Sequence, residues 1–540
     1  MRGFRNPTRN AIVIFEMNHH VIADLLRTRA AATPDRVCCA MEDVTYTYAD
    51  IDGRSDRLAA GLAELGVGPG ERVATLSPNR PELLELFYGA TKTGAAQVPL
   101  NAYLKGEFLL HQLRQSRSGV LVTDAAGRDA LAPVRSELPE LRAVVMLDDA
   151  ADDEIPYASL GDHGGQVPAV VLTPADTMSI LYTSGTTGLP KGCVASHGYY
   201  CRSAQLIGEA LEIVPEDVLF AGLPLFHAGA RLVTVTLPLV FGIPAYLQGA
   251  FSARTYFPRA REVGATVMIA VGAMGAAILA TEPSDADRDH RVRRIMCAPL
   301  SLEAQDTFRT RFGVEPWVDI FGQTECMPTT LTALSSDRRD PNGCGIAARD
   351  LEVALLDEEG RVLEGEAAGE ICVRPKTRYA MFDGYFEQPE ATLQAFRGLW
   401  YHTGDFGRRL PSGAFAFADR LKDCLRRRGE NVSSLELEAA IDRHPSVLES
   451  AVHGIASELG EDDIKACIVA KSAIDPVELF NFFKTTLPYF AIPRYIEVID
   501  ALPRNGVGRV MKHKLREVGN SPETIDFESI GLTVTRQERR

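Results

Sequence analysis

The sequence predicts a large α/β protein: an N-terminal domain with parallel sheets flanked by helices, a β-rich subdomain, and a small mobile α+β domain at the C-terminus. Strands and helices alternate in the first half, and short strands separated by turns follow residue 345. A compact α+β pattern follows Arg420. A chain of 540 residues is too long for one hydrophobic core, so several domains are expected.

The N-terminal half repeats a strand–helix–strand unit. The stretch Thr47 to Leu65 has helical periodicity, with Thr47 as its N-cap and Gly66 as its end. A strand at 72–77 then precedes a helix that begins at Pro81, and a second strand resumes after Gly94. This order predicts parallel sheets covered on both faces.

The same patterns set the expected domain limits. Residues 1–17 are an N-terminal extension, 18–345 the α/β core, and 346–421 the β-rich subdomain. Residues 422–519 form the small cap domain, and 520–540 a frayed polar tail.

Composition narrows the classes of partner. A formal net charge of -15 disfavours nucleic acid or an anionic membrane, because both need clustered positive charge. Ten cysteines without a Cys-x-x-Cys pair predict reduced thiols in the cytoplasm. The longest apolar stretch, 266–281, is too short to span a membrane and predicts a buried strand and helix beside a pocket.

The stretch Leu181-Tyr-Thr-Ser-Gly-Thr-Thr-Gly-Leu-Pro-Lys-Gly192 predicts a polyphosphate cradle. Glycines allow backbone N–H groups to face an anion closely, hydroxyls add donors, and lysine adds a charge. No Gly-Lys-Ser/Thr closes the loop, so it is not a Walker A motif. The candidate phosphate ligands are Thr183, Ser184, Gly185, Thr186, Thr187, Gly188 and Lys191.

This loop resembles that of the AMP-forming adenylate ligases, the superfamily of acyl-CoA synthetases, luciferases and peptide-synthetase adenylation domains. Phe321-Gly-Gln-Thr-Glu325 resembles a second motif of that family. The resemblance implies that Phe321 and Gly322 pack on adenine, that Thr324 approaches the phosphate, and that Glu325 with Thr187 holds Mg²⁺.

Two further motifs extend the resemblance toward the C-terminus. Tyr401-His-Thr-Gly-Asp405 resembles the motif whose aspartate binds both ribose hydroxyls, and a carboxylate suits a diol because it accepts two hydrogen bonds. In Asp419-Arg-Leu-Lys-Asp423 the resemblance implies that Arg420 reaches the ribose and that Lys422 is the hinge. The loop around Gly429 resembles one that enters the active site during thioester formation.

The chain departs from the family at the C-terminal lysine that contacts the carboxylate and the α-phosphate. Pro503-Arg-Asn-Gly-Val-Gly-Arg509 has Arg509 at that position. Arginine keeps the charge but is wider, so the exchange is not conservative.

The predicted acyl pocket includes His227, Gly272, Met296 and Cys297. His227 is either a pocket residue, as the family implies, or a histidine satisfied within the core. Met296 and Cys297 replace the usual glycine pair before Ala-Pro, which predicts a narrowed pocket and a small substrate.

These observations lead to three alternatives. The first is an ATP-dependent ligase that adenylates a small carboxylic acid and transfers the acyl group to CoA, nearest to carnitine-type or medium-chain ligases. The second is an adenylating enzyme that forms an amide or uses nitrite to diazotise an aryl amine, as some relatives in natural-product pathways do. The third binds nucleotide without turnover.

Overall fold

The structure is a computed structural model that describes residues 21–162, 169–183, 189–357, 359–420, 424–427, 430–457, 461–503, 510 and 512–535. The N-terminal part contains α1 (Ile22–Ala32), β1 (Val37–Met41), β2 (Val44–Thr47), α2 (Tyr48–Glu64), β3 (Arg72–Leu76), α3 (Glu82–Thr93), β4 (Ala96–Leu100), α4 (Gly106–Ser116), β5 (Val120–Thr123), α5 (Ala125–Leu131), β6 (Ala143–Met146), β7 (Ile155–Pro156), α6 (Tyr157–Gly161), β8 (Thr177–Thr183), β9 (Lys191–Ser196), α7 (His197–Ala210), β10 (Leu219–Ala221), α8 (Ala228–Ala230), α9 (Leu237–Phe241), β11 (Ala245–Leu247), α10 (Ala253–Glu262), β12 (Val267–Val271), α11 (Gly272–Leu279), β13 (Arg294–Ala298), α12 (Leu302–Thr307) and β14 (Glu315–Trp317).

Two seven-stranded sheets form this part, in the orders β7-β6-β5-β3-β4-β8-β9 and β14-β13-β12-β10-β11-β1-β2. Neighbouring strands are parallel, except that β9 and β2 each close their sheet in antiparallel fashion. Every residue of β4 is buried because helices cover both faces of a parallel sheet. The prediction of parallel sheets flanked by helices is therefore confirmed.

The predicted helix ends are also confirmed. Thr47 caps α2 through a capping box with Asp50, which satisfies backbone donors that the first helical turn leaves free. Pro81 precedes α3, and Gly94 ends it with a φ of +76°. The apolar stretch at 266–281 forms β12 and α11.

Helix α7 packs against β8, β9, β16 and α9, and all its residues except Glu209 are buried. A helix that is buried on all sides belongs to the interior of a large protein, so its polar groups need partners. Among the helices in the described ranges, none is long and apolar enough to cross a bilayer.

A β-rich region follows, as predicted. It contains β15 (Ile320–Gln323), β16 (Cys326–Leu331), β17 (Ile346–Ala347), β18 (Leu351–Leu356), β19 (Val362–Leu363), β20 (Ala368–Pro375), α13 (Pro389–Ala395), β21 (Phe396–Arg397), β22 (Trp400–Arg409) and β23 (Phe415–Arg420). The last six of these strands form one antiparallel sheet, and the first three form another.

The C-terminal α+β domain has its own hydrophobic core. It contains β24 (Cys424–Arg427), β25 (Glu430–Ser433), α14 (Ser434–Ile441), β26 (Val447–Ala456), β27 (Asp462–Ala470), α15 (Pro476–Thr486), β28 (Tyr495–Val498), α16 (Lys512–Val518) and β29 (Ile525–Asp526). The domain contacts the N-terminal part through Tyr103, whose ring centroid lies 4.7 Å from that of Tyr489.

Part of the segment predicted to be a frayed tail instead packs onto this domain. Strand β29 pairs with β28, Phe527 is buried, and Arg494 forms an ion pair with Asp526 at 3.0 Å. The sequence prediction missed this because one buried aromatic residue and one ion pair leave no periodic signal in a polar stretch.

The first residue of α7 makes stability depend on pH. The Nδ1 atom of His197 accepts a hydrogen bond from the Ile22 backbone N–H at 3.4 Å, and burial lowers the pKa of His197 to about 4. Since an unfolded histidine has a pKa near 6.5, the unfolded chain binds this proton first as pH falls.

We expect His197 to contribute a loss of about 2 kcal/mol in the free energy of unfolding at pH 5 relative to pH 7.5, increasing as pH approaches 4. Urea denaturation of the wild type and His197→Gln at both pH values measures this contribution as the change in their difference. An equal shift of both proteins between the two pH values would contradict it.

Candidate active site

The predicted phosphate loop joins two paired strands. Thr183 at the end of β8 lies opposite Lys191 at the start of β9 in the antiparallel register, so both residues stand at the mouth of the loop. Ser184, Gly185, Thr186, Thr187 and Gly188 lie outside the described residues. Their assignment as phosphate ligands stays a prediction.

Glu325 is buried beside this mouth. Its Oε1 atom accepts a hydrogen bond from the Tyr385 hydroxyl at 3.0 Å and one from the Thr183 hydroxyl at 3.5 Å. Burial raises the pKa of Tyr385, and the Glu325 carboxylate raises it further, so the phenol stays protonated and acts as donor. The carboxylate is thereby held in one orientation.

Tyr385 also positions Lys191, whose Nζ atom lies 4.9 Å from the centroid of the tyrosine ring. The segment around Tyr385 extends the hairpin edge, where the Phe386 N–H donates to the Gly192 carbonyl at 2.8 Å. The sequence prediction missed Tyr385, and the only signal available was a tyrosine after a glycine in a short loop.

The motif at 321–325 is held tightly. The Phe321 ring stacks on Phe417 with centroids 6.1 Å apart. A Cβ on Gly322 would lie 2.9 Å from the Cys326 carbonyl oxygen, so only glycine fits there. The Thr324 carbonyl accepts a hydrogen bond from the Tyr199 hydroxyl of α7 at 3.0 Å.

The structure brings Asp405 to the same region. Gln323 Nε2 donates to Asp405 Oδ2 at 3.1 Å, and Gln323 Oε1 accepts from the Tyr401 hydroxyl at 2.7 Å. Asp405 also lies opposite Arg420 in the pairing of β22 with β23. Gln323 occupies the variable position of its motif, so no sequence pattern selects it.

A second network supports the turn before Asp405. The Gly404 N–H donates to Glu370 Oε1 at 3.1 Å, and His402 Nδ1 lies 2.6 Å from Glu370 Oε2. His402 Nε2 lies 3.2 Å from the Arg397 carbonyl, so both imidazole nitrogens are engaged. Burial raises the pKa of the adjacent Cys372 thiol, and the Glu370 carboxylate adds to the shift. This cluster acts as a hydrogen-bonded support for the turn.

His227 faces a cavity of about 100 Å³ between the two domains. Thr183 lines it from the N-terminal domain, and Val432, Leu437 and Phe490 line it from the C-terminal domain. Lys422, Gly429 and Arg509 lie outside the described residues, and so does the Arg420 side chain. Their roles stay predictions.

The predicted narrowing by Met296 and Cys297 together does not fit the strand geometry. Successive side chains of β13 point to opposite faces, so the two cannot line one surface. Cys297 is fully buried, and its thiol donates to the Val271 carbonyl at 3.4 Å. Gly272 lies against Pro299, where a Cβ would come within 2.3 Å of the carbonyl oxygen. Of the two β13 residues, Met296 stays a candidate pocket residue, and the assignment of Gly272 to the pocket stays a prediction.

Comparisons with known proteins agree with this geometry. Residues 26–386 match the AMP-binding enzyme family, and residues 436–509 match the AMP-binding enzyme C-terminal domain. The crotonobetaine/carnitine–CoA ligase of Salmonella arizonae is 31% identical over 494 residues, which cover 88% of this chain and 94% of that protein.

Two solved structures extend the likeness to the whole fold. A double mutant of o-succinylbenzoate CoA synthetase from Bacillus subtilis, bound with its product analogue, matches at a TM-score of 0.80 and 26% identity, covering 91% of this chain and 98% of that one. An amide bond synthetase from Marinactinospora thermotolerans matches at 0.79 and 23% identity, covering 92% and 99%.

A second structure of the Bacillus subtilis enzyme matches this chain with a lower score. Its complex with AMP has the same 26% identity to this chain but a TM-score of 0.66, over 92% of this chain and 98% of that one. This chain is therefore more similar overall to the product-analogue complex than to the complex with AMP.

We expect Tyr385→Phe to slow ATP–pyrophosphate exchange about tenfold, because Glu325 loses a hydrogen-bond donor while the packing is retained. Tyr157→Phe is the matched control, since Tyr157 donates to Glu85 at 3.2 Å in a different part of the fold. Equal exchange rates for Tyr385→Phe and the wild type would contradict the assignment.

Proposed function

The chain belongs to the AMP-binding enzyme family, and from this premise we propose that it adenylates a small carboxylic acid with ATP and transfers the acyl group to CoA. The chain is an acid–CoA ligase-like enzyme of this family, and such an enzyme forms AMP. The identity of the acid and the use of CoA as acceptor are the proposal.

The cavity between the domains is the observation that carries the proposal. It runs between Thr183 and His227 on one side and Val432, Leu437 and Phe490 on the other. A cavity of this size beside Thr183 admits a slender nucleophile to an acyl group activated there, and a thiol at the end of a flexible arm fits that description. The similarity to the product-analogue complex supports the same step.

The reaction proceeds in two displacements. An oxygen of the substrate carboxylate attacks the α-phosphorus of ATP, and pyrophosphate leaves with the electrons of the broken P–O bond. The CoA thiolate then attacks the acyl carbon, and AMP leaves from it. Both steps develop negative charge, so fixed donors and cations matter more than acid–base groups.

The residues at the mouth of the loop have matching roles. Lys191 and the loop hydroxyls hold the phosphates, Asp405 accepts two hydrogen bonds from the ribose diol, and Phe321 packs on adenine. Glu325 and Thr187 would supply oxygen ligands, which suit Mg²⁺ beside substrate phosphates. Bound there, Mg²⁺ would neutralise phosphate charge.

The test measures pyrophosphate release with a panel of carboxylic acids that includes carnitine and crotonobetaine, with and without CoA. Nitrite with aryl amines forms a separate arm. We expect acid-dependent release of pyrophosphate and AMP, and a CoA-dependent product with the mass of the acyl-CoA. A product formed only with an amine, or only with nitrite and an aryl amine, would support the second alternative over transfer to CoA. ATP binding without pyrophosphate release would indicate a protein without turnover.

We expect Arg509→Ala to lower the adenylation rate roughly a hundredfold, because a cation beside the α-phosphate stabilises the developing charge. Thioester formation from synthetic acyl-adenylate should change far less. Lys514→Ala is the control, since Lys514 is exposed, whereas Lys512 is already engaged by Glu438 at 2.6 Å. A loss of adenylation with Lys514→Ala instead would contradict the assignment of Arg509.

A further inference from the structure

Arg231 is a buried cation without a carboxylate partner. The described part of the chain buries five lysine and arginine side chains, and four of them pair with a carboxylate: Lys92 with Asp52, Arg202 with Asp350, Arg427 with Asp463, and Lys465 with Glu497. Arg231 is only 5% exposed and, within the described residues, forms no ion pair. A guanidinium stays charged in proteins, and a buried charge is costly unless it is paired.

Neutral groups hold the Arg231 side chain in place. Its Nε donates to the Tyr200 hydroxyl at 3.3 Å, its Nη2 donates to Gln97 Oε1, and its Cζ lies 4.7 Å from the centroid of the Phe87 ring. Among the described residues, Nη1 has no hydrogen-bond partner. One edge of the fork is therefore oriented but not used.

Three elements connect the residues that line the cavity to Arg231 and its hydrogen-bond partners. On β4, Gln97 is on the same face as the cavity residue Pro99, two positions away. On β8, Ser179 bonds to Tyr200 at 2.5 Å and is on the same face as Thr183. The Arg231 N–H donates to the carbonyl of His227 at 3.2 Å, one turn along the helix. The network therefore lies beneath the mouth, roughly 7 to 13 Å deeper along the strands.

The backbone at Arg231 is also unusual. A π-helical segment begins there and runs over Arg231–Thr236, between α8 and α9. Such segments are rare and frequently occur at functional sites. Here the wider turn begins at the unpaired cation.

We propose that Arg231 is a specificity residue that receives the second carboxylate of a dicarboxylic acid, the substrate being adenylated at its other carboxylate. This inference rests on the proposed function. A planar guanidinium with a free edge matches a carboxylate by two parallel hydrogen bonds. The same charge opposes a substrate with a cationic far end.

The experiment compares kcat/KM for matched acids: glutarate with butyrate, adipate with hexanoate, and isophthalate with benzoate. An acid with a quaternary ammonium, 4-(trimethylammonio)butanoate, completes the panel. We expect at least one dicarboxylate to exceed its monocarboxylate by roughly ten- to a hundredfold, since hydrogen bonds to charged groups have that effect. The ammonium acid should be the poorest substrate.

Variants test whether Arg231 causes the preference. Arg231→Met should reduce the ratio of dicarboxylate to monocarboxylate by the same factor, and Arg231→Lys should give an intermediate ratio because lysine lacks the planar fork. Arg202→Met is the matched control, since it breaks a buried pair with Asp350. It should lower Tm and leave the ratio unchanged.

Two results would overturn the inference: no dicarboxylate preference in the wild type, or an equal loss for all acids with a lower Tm in Arg231→Met. If acids release pyrophosphate without such a preference, the proposed function stands and this inference fails. If none releases pyrophosphate, the proposed function fails, and calorimetric binding of isophthalate against benzoate decides the inference, equal affinities overturning it.

Discussion

The hydrogen bond from the Tyr385 hydroxyl to the Glu325 carboxylate joins three distant stretches of chain at one point. Tyr385 belongs to the edge of the β8–β9 hairpin, and its ring lies under Lys191. Glu325 follows the strand that carries Phe321. Thr183 completes the contact from the end of β8. Without this bond, Tyr385 would no longer connect the loop mouth to the motif at 321–325. The buried Glu325 carboxylate would also lose a hydrogen-bond donor.

The interior uses charge in two different ways. Four buried cations form ion pairs with carboxylates, because removing a charged side chain from water is costly unless it is paired. Arg202, for example, also donates to the Met327 carbonyl at 2.9 Å and so fixes the chain just after the motif at 321–325. Arg231 instead contacts the neutral hydroxyl of Tyr200 and the aromatic ring of Phe87. This contrast within one chain separates a charge used for packing from one free to meet a ligand.

The interface between the domains lies beside the cavity of the candidate active site. Tyr103 packs against Tyr489, and Lys105 donates to the Lys484 carbonyl at 3.3 Å. Lys105 is half-buried at the interface, which lowers its pKa, and the nearby Lys484 lowers it further. These contacts hold the end of α15 and the segment after it against the residues just before α4, beside the cavity that His227 and Thr183 line.

The sequence by itself determined the fold class, the helix limits at Thr47 and Gly94, and the order of motifs from Thr183 to Asp405, because periodicity, caps and motif spacing are local properties. Only the tertiary structure decided which side chains contact one another. Gln323, Tyr385 and Arg231 have no distinguishing spacing, and their importance arises from residues 60 to 134 positions away. It also separated Met296 from Cys297 by strand alternation and docked Phe527 into the C-terminal core. Contacts between distant segments depend on how layers pack, and no local pattern encodes that.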